Sequence, residues 1–248
     1  MLPIYALVVR ELKRFFRSKS QVITSMGQPL LYLLIMGFGL GPVYQRAGGG
    51  NYLEYLAPGM IAMTVMFAAT FSGMTVLWDR QFGMLKGTLV APVSRVEITL
   101  GRTSGAAVVA LVQGIIVAVV CVGAGFKVVT ISMVPLGVLF LALIGLVFAA
   151  LGTVIGATLR KLESFQVAMN CLILPIFLLS GAMFPLSHLP AVLGILTKID
   201  PLAYGVDGLR AALAGQTFFG VGTDVSILTA LAVVLISIGT WRVSEIES

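Results

Sequence analysis

Residues 128–159 hold no Asp, Glu, Lys or Arg, and neither do residues 20–45, 55–78, 103–126 or 164–197. Runs of this length limit the fold more than any motif does, because a hydrocarbon core of roughly 30 Å is crossed by about 20 apolar helical residues. In lipid every backbone N–H and C=O must find its partner inside the protein, which a helix achieves alone. Unbroken apolar runs also argue against a barrel, whose strands would alternate apolar and polar side chains. With 58% hydrophobic and 10% charged residues among 248, the chain reads as an all-α polytopic membrane protein forming a single transmembrane domain.

Residues 4–19 read as an amphipathic helix in the cytoplasmic interface. Tyr5, Val8, Val9, Leu12 and Phe16 form one side; Arg10, Lys13, Arg14 and Arg17 form the other. A basic flank to the first span is the competing reading, which explains the charges but not the stripe. Basic residues that follow the first apolar ones, with no small-residue cleavage site, set this start apart from a cleavable signal peptide.

Six spans are expected. The first covers residues 22–40, ended by Gly41-Pro42 and Gly48-Gly49-Gly50. The second covers 55–78, with Trp78 at an interfacial position. The third covers 103–126; the fourth starts near Pro135, a favoured first-turn residue, and ends at Leu159. The fifth starts at Ser164 and ends near Met183, because Pro185 and Pro190 break the helical ladder. The sixth covers 225–241. Between the last two, over residues 184–215, short apolar helices at 189–199 and 201–214 meet at Asp200-Pro201. They are expected as an extracellular re-entrant hairpin carrying Pro185, Pro190, Asp200, Pro201, Asp207 and Arg210. A plain outer loop is the alternative.

Six spans put both termini on one side, and basic residues choose which. With the amino end inside, 12 Lys and Arg fall inside and 4 (Arg46, Lys127, Lys198 and Arg210) outside. The expected location is the plasma (inner) membrane with cytoplasmic termini.

No catalytic set is visible. Gly83-Met84-Leu85-Lys86-Gly87-Thr88 lacks the order of a phosphate loop, and Leu179-Ser180-Gly181 lacks the Gly-Gln that follows it in the nucleotide-sandwiching motif of ATP-binding cassettes. Cys121 and Cys171 lie in apolar runs and His188 is the sole histidine, so no Cys/His metal set is expected. The spans as drawn hold no ionisable residue, which weighs against a proton- or sodium-coupled carrier. Uncharged polar residues in them are expected mainly to bond neighbouring helices; Gln28, Thr64, Thr70 and Asn170 are the candidates for a translocation path. Pro175, inside the fifth span, is a candidate hinge. Four Gly-x-x-x-Gly pairs occur, where about three arise by chance, and Gly152/Gly156, deep in a span, is the best placed as a helix contact.

The polar stretch 79–102 carries the strongest functional signal. It holds Arg80, Lys86, Arg95 and Arg102, two acids, and apolar Phe82, Met84, Leu85 and Leu89 at near-helical spacing. A connection between two spans needs only a few residues, whereas this one offers apolar side chains rimmed by Arg and Lys, the composition of a docking patch. A helix lying on anionic lipid is the alternative.

At these residues the sequence resembles the permease subunits of type 2 ABC exporters, which include drug, polysaccharide and teichoic-acid exporters. The resemblance rests on Asp79-Arg80-x-x-Gly83, Leu89-Val90-Ala91-Pro92-Val93-Ser94-Arg95 and Leu100-Gly101-Arg102. It continues through Leu179-Ser180-Gly181-Ala182-Met183-Phe184-Pro185, Leu189-Pro190, Asp200-Pro201-Leu202 and Asp207-Gly208-Leu209-Arg210. It implies two six-span subunits, expected as a homodimer, above two cytosolic ATPase subunits that bind ATP and Mg; this chain itself would be no enzyme. It also implies that the loop after the second span is a coupling helix, carried here by Arg80, Phe82, Gly83, Met84, Leu85, Lys86, Leu89, Pro92 and Arg95. The first helix would be the connecting helix, and ATP-driven closure would tilt the spans around a path between both first, second and fifth spans. Gln81 stands where the family usually has an acid, and the motif forms look closer to drug and lipid-like exporters. The competing class is a motor-independent secondary carrier or a structural membrane subunit.

Overall fold

The computed structural model describes residues 2–17, 19–46, 51–81, 95–159, 161–186 and 190–246. Among these residues lie helices α1 (Leu2–Arg17), α2 (Lys19–Arg46), α3 (Tyr52–Phe71), α4 (Gly73–Gln81) and α5 (Arg95–Gly123). A 3-10 turn (Ile131–Met133) leads into α6 (Val134–Thr158), followed by α7 (Leu162–Leu179), α8 (Ala191–Ile199), α9 (Pro201–Ala214) and α10 (Val221–Ile246). The described residues include no strand. Five helical segments are long and apolar enough to cross a membrane: Tyr52–Trp78, Val96–Gly123, Ile131–Thr158, Leu162–Leu179 and Val221–Val243. The expected first span lies within the 28-residue α2.

Helix α6 is the hub, packed against α3, α4, α5, α9 and α10. It carries no charge, and Phe140, Ile144, Val147 and Phe148 are fully buried on it, in one core with Met60, Ile61 and Met66 of α3. Lipid tails are as apolar as leucine, so helices here gain little from leaving lipid and associate through close backbone packing over small residues. That is what the glycines of α6 do. A Cβ on Gly152 would land on the Thr70 carbonyl, and one on Gly156 would land on the Gly73 carbonyl. The Gly152/Gly156 pair is therefore a helix contact within the chain, seating α6 on the junction between α3 and α4.

At that junction the helical ladder is interrupted at Ser72, within the segment Tyr52–Trp78 that contains the expected second span. Ser72 Oγ donates to the Ala69 carbonyl at 2.6 Å, and Thr75 Oγ1 donates to the Ser72 carbonyl at 2.6 Å. Hydroxyls that bond back along their own helix compete with its regular ladder. The chain leaves α3 and restarts as α4 at Gly73, whose own Cβ would strike the Gly152 carbonyl.

Gly101 and Gly105 on α5 play the matching part for α1. Cβ atoms there would meet Leu7 at 2.6 Å and Glu11 at 3.2 Å, so these glycines let α1 lie directly on α5. The face of α1 that meets α5 is a different one from the expected apolar stripe, part of which stays exposed. Phe15 is buried at 2% exposure, while Tyr5 and Phe16 are 70% and 60% exposed. The face applied to α5 runs through Leu7, Glu11 and Phe15, one helical turn apart, because the glycine groove draws that face in.

Candidate functional site

Most of the expected docking stretch, including Phe82, Gly83, Met84, Leu85, Lys86, Leu89 and Pro92, lies outside the described residues. Its two anchors are described. Arg80 sits in the last turn of α4 and Arg95 opens α5. Helix α4 packs on α6, and α5 packs on α1, α3 and α6. A displacement of the connection would thus act on core helices. On α1, Lys13, Arg14 and Arg17 are exposed, and Arg10 Nη2 donates to Glu11 Oε1 at 3.2 Å. An exposed pair of this kind contributes about 0–1 kcal/mol; its use here is to offset the acid within a basic face.

The far end of the bundle is held by the charged residues expected on the hairpin. The Gly181 carbonyl, just past α7, accepts from Tyr55 Oη at 2.8 Å and from Arg210 Nη2 at 3.1 Å. The Arg210 guanidinium carbon lies 4.1 Å from the Tyr55 ring centroid, so the cation rests on the ring face. Tyr52 Oη donates to the Met183 carbonyl at 3.3 Å, and a Cβ on Gly59 would lie 2.7 Å from the Ala182 carbonyl. The first turns of α3, the end of α7 and the middle of α9 are thus fastened together. Gly181 makes this turn with φ of +73°, a conformation that favours glycine. The Leu179-Ser180-Gly181 triplet is accordingly a helix end, with Ser180 Oγ donating to the Phe177 carbonyl at 2.7 Å.

Asp207 accepts from Thr217 Oγ1 at 3.0 Å and from the Phe218 and Phe219 amides at 2.8 Å, closing the loop after α9. Asp200 caps α9 by accepting from the Leu202 amide at 2.8 Å, and Pro201 fills the first turn. The two short helices are unequal. Nearly all of α9 is buried, against α3, α6 and α10, whereas α8 exposes Val192, Ile195 and Ile199; Pro185 and Pro190 flank its start, both exposed.

Burial pushes the Asp200 carboxyl up from 3.8 to about 7, against backbone hydrogen bonds from Leu202 and Ala203 that pull it down. Between those values the folded chain holds a proton that the unfolded chain has lost. Stability is therefore expected to fall as pH rises from about 4 to 7, by at most about 1.4 kcal/mol per pH unit. Asp200→Asn keeps an N-cap acceptor and removes the titration. Thermal unfolding in detergent should show a flatter pH profile for that variant, with its largest gain over the parent above pH 7; parallel profiles would refute the assignment.

Thr64 and Thr70 are buried on α3 and donate to the Met60 and Met66 carbonyls at 2.9 and 2.7 Å. Gln28 lies in α2. Asn170 and Pro175 are on the exposed side of α7, and the helix continues through the proline. Asn170 is thus exposed while Thr64 and Thr70 are buried against their own helix. Sequence reasoning missed Asp224, which lies within the Val221–Val243 segment and is 0% exposed. Helix α10 begins at Val221, ahead of the expected sixth span, so this acid lies in its first turn. Tyr52 and Tyr55 were also missed, and the signal for them was a tyrosine pair one turn apart at a span entrance.

The profile of the family described as "ABC-2 type transporter" matches residues 3–214. The chain is 31% identical to Nodulation protein J of Rhizobium meliloti (strain 1021) over 217 residues, 87% of this chain and 82% of that protein. It is 32% identical to Nodulation protein J of Rhizobium leguminosarum bv. trifolii over the same shares of both chains. With the counterpart from Rhizobium leguminosarum bv. viciae it shares 30% over 223 residues, 89% of this chain and 85% of that one.

Proposed function

Because the chain belongs to the ABC-2 type transporter family, we propose that it is the permease of an exporter driven by a separate ATPase. As a transmembrane subunit of that transporter family it is an integral membrane protein with several apolar helices. The finer reading has α2 as a sixth span, both termini in the cytoplasm, α8 and α9 as an outer re-entrant hairpin, and the inner membrane as its site. Two ATPase subunits carry ATP and Mg and grip residues 82–94. Their closure moves α4 and α5, and with them the bundle. The cargo is an amphipathic or hydrophobic molecule leaving the cytoplasm.

One observation carries this reading: a family match over most of the chain that includes the polar connection anchored in α4 and α5. The outer faces of α2 and α7 support a second permease. Leu31, Leu34, Ile35 and Phe38 on α2 are exposed, as are Val167, Leu174 and Leu178 on α7. Only one stripe of α7 is buried, Phe165, Met169, Ile173 and Phe177. A mainly apolar helix with one buried stripe leaves the rest for lipid or another helix. A second copy of this chain on that side would line a path with α2, α3 and α7.

The test is purification of the tagged chain from its own membrane. It is expected to bring down an ATP-hydrolysing subunit in stoichiometric amount, with a cysteine at position 85 crosslinking to it. Transport by the purified chain alone, in vesicles without ATP, would overturn the proposal.

A further inference from the structure

Two buried acids at the far end of the bundle take no part in the transport reading. Asp207 is 2% exposed and Asp224 is 0% exposed. Asp207 is well supplied with donors: it accepts from Thr217 Oγ1 and from the Phe218 and Phe219 amides, which ties residues 217–219 to α9. Asp224, in the first turn of α10, has the opposite character, since neither of its carboxyl oxygens has a hydrogen-bond partner. Its amide donates to the Gly220 carbonyl at 3.1 Å, so one short turn joins the two acids, and the Asp224 carboxyl comes within hydrogen-bonding reach of Asp207.

A buried carboxylate without a donor or a counter-charge is costly, and two facing carboxylates are more so. A carboxylic acid at Asp224 removes both costs, because its hydrogen goes to Asp207 and its other oxygen is neutral. The positive end of α10 favours one negative charge in this turn, and Asp207 supplies it. Among the described residues neither acid has an ion pair. Arg210, one turn on from Asp207, donates to the Gly181 carbonyl and rests on Tyr55, and Lys198 of α8 is exposed. Tyr52 and Tyr55 of α3 donate to carbonyls at the end of α7. Helix α6 has no titratable side chain, and Cys121 is the one on the half of α5 nearest this end. Tyr204 lies within electrostatic reach of Asp224 and Asp200, but its hydroxyl hydrogen is already given to the Lys198 carbonyl at 2.6 Å.

We propose that Asp207 and Asp224 form a proton-binding site, in which one proton held between the two carboxyls latches the 215–220 loop and the first turn of α10 to α9. Releasing that proton to water takes the pair from one negative charge to two, with nothing oxidised or reduced. The carboxylates then repel. Helix α9 is nearly all buried, so the loop and the first turn of α10 yield: Gly222 and Thr223 are exposed, and Phe218 is 58% exposed. A cavity of about 240 Å³ between this loop and α8, lined by Phe218, Phe219, Ile195 and Lys198, gives the loop room. The Phe219 ring lies 4.8 Å from that of Tyr204, so its movement reaches the end of α8 through the Tyr204 hydrogen bond. The inference goes beyond the transport reading and does not depend on an ATPase.

The test follows two signals from the full chain in detergent as pH is raised: the infrared band of a protonated carboxyl, and hydrogen exchange of the 217–224 amides corrected for its intrinsic pH dependence. At about pH 6, where exposed carboxyls are ionised, a band is expected that shifts in heavy water, is lost in Asp224→Asn and is kept in Asp200→Asn. As this band titrates away, the 217–224 amides should lose protection at least about tenfold, equivalent to about 1.4 kcal/mol of opening free energy. Asp224→Asn, whose side-chain amide donates to Asp207 without titrating, should keep that protection level across the same range. Should this variant fail to fold, the Asp200→Asn chain decides, since the band and the protection must then fall at one midpoint. A band that survives Asp224→Asn, no band at about pH 6, protection that stays level while the band disappears, or a band that outlasts the fold overturns the proposal.

Discussion

Phe82→Asp combined with Leu85→Asp is expected to lower ATP-driven transport at least about tenfold while the subunit remains in the membrane at its normal level. A carboxylate carried into an apolar contact without a partner costs several kcal/mol, and about 1.4 kcal/mol suffices for tenfold. Both positions lie in the charged stretch 79–102, which the sequence separates from the uncharged runs 55–78 and 103–126, so insertion should not suffer. The readouts are transport in vesicles, ATP hydrolysis by the copurified complex and the amount of chain in the membrane. Hydrolysis that persists while transport falls is the signature of lost coupling. Undiminished transport would remove these residues from the docking role and return the stretch to a helix lying on lipid.

The second large effect is expected at the contact between α6 and the α3–α4 junction. Gly152→Ala places a methyl group on the Thr70 carbonyl, a backbone atom that no rotamer change can move away. Either the helices separate or the junction shifts, and overpacking of this kind costs about 1–3 kcal/mol, roughly 3–10 °C in melting temperature for a chain of this size. Gly194→Ala on α8 is the control, because a Cβ there meets nothing within 4 Å and alanine favours the helix by up to about 1 kcal/mol. Thermal scanning in detergent should separate the pair, Gly152→Ala falling and Gly194→Ala holding or rising. Equal midpoints would mean that α6 does not rest on that carbonyl.

These expectations draw on different layers of information. The uncharged runs announced apolar helices, since lipid leaves a backbone few other ways to satisfy itself. Pro135 and Pro201 marked helix starts because a missing N–H costs nothing in a first turn. The polar stretch after Trp78 and the charged motifs of the carboxyl-terminal third were enough to suggest the family. Asp224 escaped because an apolar window was closed at the charge, whereas the helix begins ahead of it at Val221. Periodicity drew the apolar stripe of α1, but it does not say which other face of that helix meets a neighbour.

By itself the sequence determined the solvent of this protein, its helical class and its kinship, all of which follow from properties summed along a segment. Only the tertiary structure decided that Gly152 and Gly156 touch α3 and α4, that Gly101 and Gly105 turn α1 onto α5, and that Arg210 ties Tyr55 to the end of α7. Each of these is a relation between residues distant in the chain, and no local pattern encodes which backbones will come close enough to exclude a Cβ or share a carbonyl.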